Sequence, residues 1–131
     1  MRIDDGRDIG SHLEQLPYAQ ALGMRLVGLS DSRWELAMPY AEHLVGDPDT
    51  GVIHGGVVTA LLDNAAGLVA YRKDRHHREE AVATLDMRID DLASARPGQP
   101  LFVRADCIKR TREIVFVRAQ AFQETIDSLP P

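Results

Sequence analysis

The stretch HGGVVTALLD, residues 54–63, predicts the start of a long helix and places an acidic residue inside it. A histidine and two glycines come first, followed by six residues that are apolar except for Thr59. The apolar pattern continues beyond Asp63 through NAAGLVAY, so the helix is expected to run from about Gly56 to Tyr71. A helix that is apolar nearly all the way round is expected to be buried. The carboxylate of Asp63 therefore needs an explanation.

An ionised carboxylate on a buried helix costs free energy unless it is hydrogen-bonded, paired or reached by water. Asp63 belongs to a stripe of small and polar residues spaced three or four apart on one helix face. The members of this stripe are Gly56, Thr59, Ala60, Asp63 and Gly67. Two explanations stay open: a structural carboxylate bonded to Thr59 or Asn64, and a functional carboxylate that faces a bound molecule.

The first residues of the helix favour a functional explanation. Gly55 and Gly56 have no side chains, so a ligand can come close to their amides. The first amides of a helix lack intrahelical acceptors and favour negative charge, which suits a developing oxyanion. The structural alternative is that the two glycines only allow a tight turn.

The rest of the chain predicts one short helix and five strands around this long helix. Residues 1–10 are expected to form a flexible tail, and Ser11 with Glu14 has capping-box spacing. Pro17 and Gly23 are typical of the start and end of a short helix. Alternating apolar residues predict two hairpins, 24–30 with 33–40 and 101–110 with 113–124, and a further strand at 84–90. Residues 41–51 are predicted to be a loop. This order predicts an α+β domain with an antiparallel sheet over residues 11–131.

Composition excludes several functional classes. The 131 residues carry a net charge of −5, which argues against binding to nucleic acid or to an anionic membrane surface. No apolar run has the length of a membrane span, and the acidic N-terminus does not resemble a signal peptide. Cys107 is the only cysteine, so no intrachain disulfide can form, and a cytoplasmic location is expected.

Two other possible sites are disfavoured. Cys107 could be a nucleophile, but its strand-like surroundings favour a small buried filler. His76 and His77 lie near Asp74 and Glu79, but adjacent histidines do not share a helix face. No metal and no cofactor are therefore expected.

The stretch HGGVVTALLDNAAG closely resembles the signature of hotdog-fold thioesterases of the phenylacetate-degradation (PaaI-like) branch. In that branch His-Gly-Gly opens the central helix, and an acidic residue follows nine positions after the histidine, as Asp63 follows His54 here. The order of the predicted elements also matches over roughly residues 18–124. The resemblance implies a hotdog fold, in which a curved antiparallel sheet wraps a long central helix. It also implies hydrolysis of acyl-CoA thioesters at the interface of a homodimer, with a homotetramer left open.

The resemblance also assigns roles to individual residues. Asp63 is the catalytic general base or nucleophile, and the amide of Gly55, with that of Gly56, polarises the thioester carbonyl. His54 shapes the turn, and Thr84 is either a hydroxyl that positions the attacking water or a surface strand residue. Candidate substrate contacts are Asp47, Thr59, Asn64, Lys109, Arg110 and Arg112; the last three are basic residues of one hairpin turn that could pair with the phosphates of CoA.

The sequence departs from the branch at two places. Many members have an asparagine or glutamine just upstream of His-Gly-Gly, where Asp47 is the nearest polar residue here. Relatives usually continue into one more strand rich in small residues, whereas this sequence ends in TIDSLPP.

Distance along the helix predicts that the active site is shared between two chains. Asp63 lies seven residues beyond Gly56, which is roughly 10 Å along the axis. One helix therefore cannot easily place both groups on one carbonyl, whereas two antiparallel helices can. A non-catalytic acyl-CoA-binding protein of the same fold is the main alternative. A hydratase or dehydratase is a weaker one, because its differently spaced Asp and His pair is not found.

Overall fold

The computed structural model describes residues 13–30, 33–71 and 82–123. The predicted tail (residues 1–10), Ser11 of the predicted capping box, and His76 with His77 lie outside the described residues. Within the described part, no three side chains of His, Cys, Asp or Glu lie close enough together to hold a metal ion. None of the described helices is long and apolar enough to cross a membrane.

The short N-terminal helix forms where its end signals predict it. Helix α1 spans Pro17–Leu22, with the proline at its first turn, where a missing amide hydrogen costs nothing. Gly23 follows in the left-handed region (φ 72°), and its amide donates to the last turn of the helix. Ala19 and Leu22 are buried, which attaches the helix to the core.

Two hairpins pair to form a four-stranded antiparallel sheet, as the alternating pattern predicts. In the order of the sheet the strands are β1 (Arg25–Leu29), β2 (Arg33–Met38), β5 (Leu101–Arg110) and β6 (Val115–Phe122). Trp34, Leu36 and Met38 of β2 are buried, and the residues between them are half-buried. A central antiparallel strand that faces the core on one side shows this period of two.

The loop predicted for residues 41–51 is more ordered than expected. A 3₁₀ turn spans Glu42–Leu44, and β3 (Val45–Asp47) pairs with β4 (Val52–Ile53) in a separate two-stranded ribbon. The turn between these strands places Gly51 at φ 76°, where its carbonyl accepts a bond from Tyr40 Oη at 2.7 Å. Residue composition predicts the turn itself, but it cannot show that the flanking residues pair with each other.

The strand predicted at residues 84–90 is not formed in the single chain. The structure assigns no strand within residues 82–100, and Leu85 and Leu92 are 83% and 94% exposed. A cavity of about 1980 Å³ lies between residues 82–93, β6 and the long helix. Among the described residues, the backbone of residues 84–90 therefore has no neighbouring strand with which to pair, although its side chains alternate in the way a strand requires.

The long helix α2 spans Gly55–Ala70 and packs across the sheet. Leu61, Ala65, Leu68 and Val69 are buried against the sheet, whereas the residues between them are only half-buried. The expectation of burial on all sides is therefore wrong for the single chain, because the sheet covers only one face of the helix. The uncovered face includes Asp63 and Gly67 and lines the cavity.

Cys107 is half-buried on β5 and packs against the edge of the core. The expected small buried filler is therefore only partly buried. It lies in the part of β5 where a bulge between residues 107 and 109 shifts the register with β6, away from the centre of the sheet.

Candidate active site

The carboxylate of Asp63 is hydrogen-bonded to a residue 21 positions further along the chain. Thr84 Oγ1 donates to Asp63 Oδ1 at 2.6 Å, and both residues line the cavity. Asp63 is half-buried and Thr84 is exposed, so water can reach the pair. The bond engages Oδ1, and the cavity beside the carboxylate is large enough for a substrate.

The partners named by the structural alternative do not account for Asp63. Asn64 donates through Nδ2 to the carbonyl of Ala60 at 2.8 Å, within its own helix. Thr59 is half-buried on the same helix. The bond that the structure gives Asp63 is the one from Thr84, which comes from outside the helix.

The helix begins with a cap made by His54. The imidazole Nδ1 accepts a bond from the Gly56 amide at 2.8 Å, and the His54 carbonyl accepts one from Val57 at 2.9 Å. The Gly56 amide is therefore already bonded. A Cβ atom built on Gly55 would meet no atom within 4 Å, so the space beside the exposed Gly55 is open to a ligand.

Gly46 positions the His54 turn, a role that the sequence did not indicate. A Cβ atom on Gly46 would lie 2.8 Å from the Cα of His54, so only glycine lets β3 approach the turn this closely. The His54 amide also donates to the carbonyl of Leu44 at 2.9 Å. The sequence shows only that Gly46 precedes His54 by eight residues. That spacing does not predict a contact, because the two residues meet only when β3 pairs with β4.

Replacing Gly46 with alanine is expected to lower kcat/KM for a thioester substrate by about ten-fold, because the His54 turn must move away from the new methyl group. Overpacking of this kind also costs about 1–3 kcal/mol of folding stability. Gly28→Ala is the matched control, because there the new Cβ would come closest to the movable end of the Glu35 side chain, Oε2 at 2.7 Å. Thermal melting and hydrolysis rates of both variants test this, and equal effects of the two substitutions would contradict it.

Asp47 organises its own turn. Its Oδ1 accepts the amide of Asp49 at 3.0 Å, and its Oδ2 accepts Thr50 Oγ1 at 2.9 Å. Short acidic side chains commonly bond to nearby backbone amides in this way. Both carboxylate oxygens are therefore engaged in the ribbon, and contact of Asp47 with substrate stays a prediction.

The three basic residues of the second hairpin have different surroundings. Lys109 and Arg112 are exposed. Arg110 is half-buried and donates to two backbone carbonyls at the end of α2, Ala70 O at 3.1 Å and Val69 O at 3.0 Å. The guanidinium of Arg110 is thus hydrogen-bonded within the protein, whereas the charged groups of Lys109 and Arg112 face solvent.

A single chain brings together two parts of the candidate site but does not join them. Asp63 and Thr84 form one part, and His54 with the open amide of Gly55 forms the other. Asp63 and Gly55 lie on the same helix, eight residues or roughly 12 Å apart along its axis, which is more than the reach of a hydrogen bond.

A family model described as the thioesterase superfamily matches residues 50–129, which include both parts of the site. The chain belongs to this superfamily. The medium/long-chain acyl-CoA thioesterase YigI of Escherichia coli K12 is 28% identical over 120 residues, covering 83% of this chain and 77% of the relative. As a superfamily member the chain is a thioester hydrolase.

Two solved structures support the same conclusion. A Pseudomonas aeruginosa protein is 30% identical, with a TM-score of 0.77 over 95% of this chain and 90% of that one. A thioesterase family protein from Silicibacter pomeroyi is 29% identical, with a TM-score of 0.71 over 88% and 79% of the two chains. The predicted hotdog thioesterase fold is confirmed, and membership of the phenylacetate-degradation branch stays a prediction.

Proposed function

We propose that this thioesterase hydrolyses acyl-CoA to a free acid and CoA, with Asp63 as its catalytic carboxylate. The observation that carries the proposal is the Asp63–Thr84 hydrogen bond at the wall of a large cavity. Thr84 comes from outside the helix, so the bond orients a carboxylate that both water and a substrate can reach. The acyl-CoA thioesterase activity named for YigI supports the choice of substrate.

Thr84 leaves Asp63 with one free oxygen for chemistry. Because Thr84 Oγ1 donates to Oδ1, the carboxylate is held in one orientation and Oδ2 can act on the substrate. As a general base, Oδ2 removes a proton from a water that attacks the thioester carbonyl, and CoA then leaves as the thiol. As a nucleophile, Oδ2 attacks the carbonyl carbon and expels CoA as the thiolate, and water then hydrolyses the resulting mixed anhydride to the free acid and the Asp63 carboxylate. Both routes use the same oxygen and give the same products.

The amide of Gly55 polarises the carbonyl in this proposal. It lies at the positive end of α2, where open space allows a carbonyl oxygen to approach. The Gly56 amide contributes indirectly, since its bond to His54 Nδ1 holds the turn in shape. An oxyanion donor must lie about 3 Å from the carbonyl oxygen.

The two parts meet when two chains pair as a homodimer. If two copies of α2 pack antiparallel through their uncovered faces, Gly55 of one copy lies beside Asp63 of the other. The half-buried face of α2 and the unpaired residues 82–92 support such pairing, because both leave surface that a second copy can cover. Each dimer then holds two identical composite sites.

The exposure of the basic side chains indicates which of them can contact the substrate. Lys109 and Arg112 are exposed cations on one turn, and we assign them to the phosphates of CoA. Thr59, Asn64 and Asp47 stay predicted substrate contacts.

A thiol-release assay with short, medium, long and aromatic acyl-CoAs tests the proposed function. We expect hydrolysis of at least one class with CoA and the free acid in equal amounts. The main alternative is a protein that binds acyl-CoA without cleaving it. Tight binding of every substrate, measured by calorimetry, with no thiol released would favour that alternative.

Removing the hydroxyl of Thr84 is expected to lower kcat by about ten-fold or more in Thr84→Val, because a hydrogen bond to a charged group contributes about 1.5–3 kcal/mol. Thr84→Ser keeps the hydroxyl and is expected to stay within about three-fold of wild type. Thr84 is exposed, so the melting temperature should be similar in both variants. Equal activity of the valine and serine variants would show that Thr84 is only a surface residue.

A further inference from the structure

The C-terminal end of α2 is capped partly by the backbone of Tyr71 and partly by a side chain of the sheet. The last turn contains no basic residue, and Tyr71 follows in an extended conformation where many helices have a left-handed glycine. The last four carbonyls of a helix have no donors within the helix. The backbone amide of Tyr71 satisfies one of them by donating to Gly67 O at 2.8 Å.

Arg110 supplies donors to two more of these carbonyls from the sheet. Its Nη1 lies 3.1 Å from Ala70 O and its Nη2 lies 3.0 Å from Val69 O; the two acceptors are 40 and 41 residues away in the sequence. A guanidinium presents its donors in a rigid planar fork, which suits two adjacent acceptors. Its positive charge also lies at the negative end of the helix dipole. The end of α2 is thereby joined to the end of β5.

We propose that Arg110 is a positioning residue that fixes the catalytic helix against the sheet and so sets the location of Asp63. This rests on the proposed function. Asp63 lies seven residues before Ala70, roughly 10 Å along the same rigid helix, so a shift of the helix end moves the carboxylate with it. Reaction rates are sensitive to misplacement of about 1 Å. On this assignment Arg110 is not a phosphate ligand, and CoA is bound by its exposed neighbours.

Four variants separate positioning from phosphate binding. Arg110→Met removes the fork and the charge, whereas Arg110→Lys keeps the charge but cannot bridge both carbonyls. The double substitution Lys109→Gln with Arg112→Gln removes the exposed cations of the same turn. Arg25→Met is the control, because Arg25 is an exposed arginine on β1 that does not line the cavity. For each, kcat and KM are measured with one hydrolysed acyl-CoA at low and high salt, together with the melting temperature.

Positioning predicts a specific pattern. Arg110→Met is expected to lower kcat about ten-fold and the melting temperature by about 5 °C or more, with KM within about three-fold at both salt concentrations. Arg110→Lys should keep less than half of the wild-type kcat. The double variant should instead raise KM at low salt more than at high salt, with kcat and melting temperature near wild type. Arg25→Met should match wild type.

Several outcomes overturn the proposal. A salt-dependent rise in KM with unchanged kcat in Arg110→Met would make Arg110 a phosphate ligand. A lower melting temperature with unchanged kcat would leave it a structural cap only. If wild type hydrolyses no acyl-CoA, the proposed function fails. Amide hydrogen exchange in the last turn of α2 then tests whether Arg110 fixes the end of the helix. Unchanged exchange in Arg110→Met would show that it does not.

Discussion

Replacing Asp63 with alanine or asparagine is expected to lower kcat/KM for acyl-CoA by about 10²-fold or more, the scale of losing a positioned base. Asparagine has nearly the same shape and can still accept the bond from Thr84, but its amide cannot take a proton or form an anhydride. Both substitutions should leave the melting temperature close to wild type, because Asp63 is only half-buried and faces the cavity.

Glu42→Gln is the control for this experiment. Glu42 is an exposed carboxylate in the 3₁₀ turn, and it does not line the cavity. We expect its hydrolysis rate to match wild type. Near-normal activity in both Asp63 variants would show that the carboxylate has a structural role only.

Mixing two inactive proteins is expected to restore about a quarter of wild-type activity. One protein carries Asp63→Ala and the other carries Gly55→Pro. After subunit exchange, random pairing makes about half of the dimers mixed, and each mixed dimer has one intact site and one doubly defective site. A site built within one chain would recover nothing. Confirmed exchange with no recovered activity would therefore reject the composite site.

The local backbone makes Gly55→Pro suitable for this purpose. Gly55 is the first residue of α2, where proline is well tolerated. The preceding His54 has ψ 132°, the extended value that a residue before proline prefers. Proline therefore removes the amide hydrogen with little strain. Gly55→Ala is the control, since it keeps the amide and places its methyl group in open space; we expect it to retain most activity.

Short-range signals predicted most elements of this fold. Pro17 and Gly23 marked the ends of α1, and alternating residues such as Trp34, Leu36 and Met38 marked the paired strands. The His-Gly-Gly motif placed the start of α2 within one residue. These features depend on steric and hydrogen-bonding preferences that act over a few residues, so sequence alone carries them.

Other features depend on which segments of the chain contact each other, and the sequence predicted these features incorrectly or only in part. Residues 84–90 have the pattern of a strand, but a strand needs a neighbour, and in the single chain a cavity takes its place. The pairing of β3 with β4 and the contact of Gly46 with His54 were not predictable from a loop-like composition. Burial of α2 was overestimated because apolar content does not show how many sides are covered.

The candidate site divides in the same way. The sequence by itself determined that a carboxylate lies nine residues after a histidine at a helix start, and that Gly56 and Asp63 are separated by roughly 10 Å along one helix. Only the tertiary structure decided that Thr84 bonds to Asp63, that His54 occupies the Gly56 amide, and that Arg110 turns to α2. Spacing along a helix follows from fixed geometry, whereas contacts across 21 or 40 residues exist only after the chain has closed on itself.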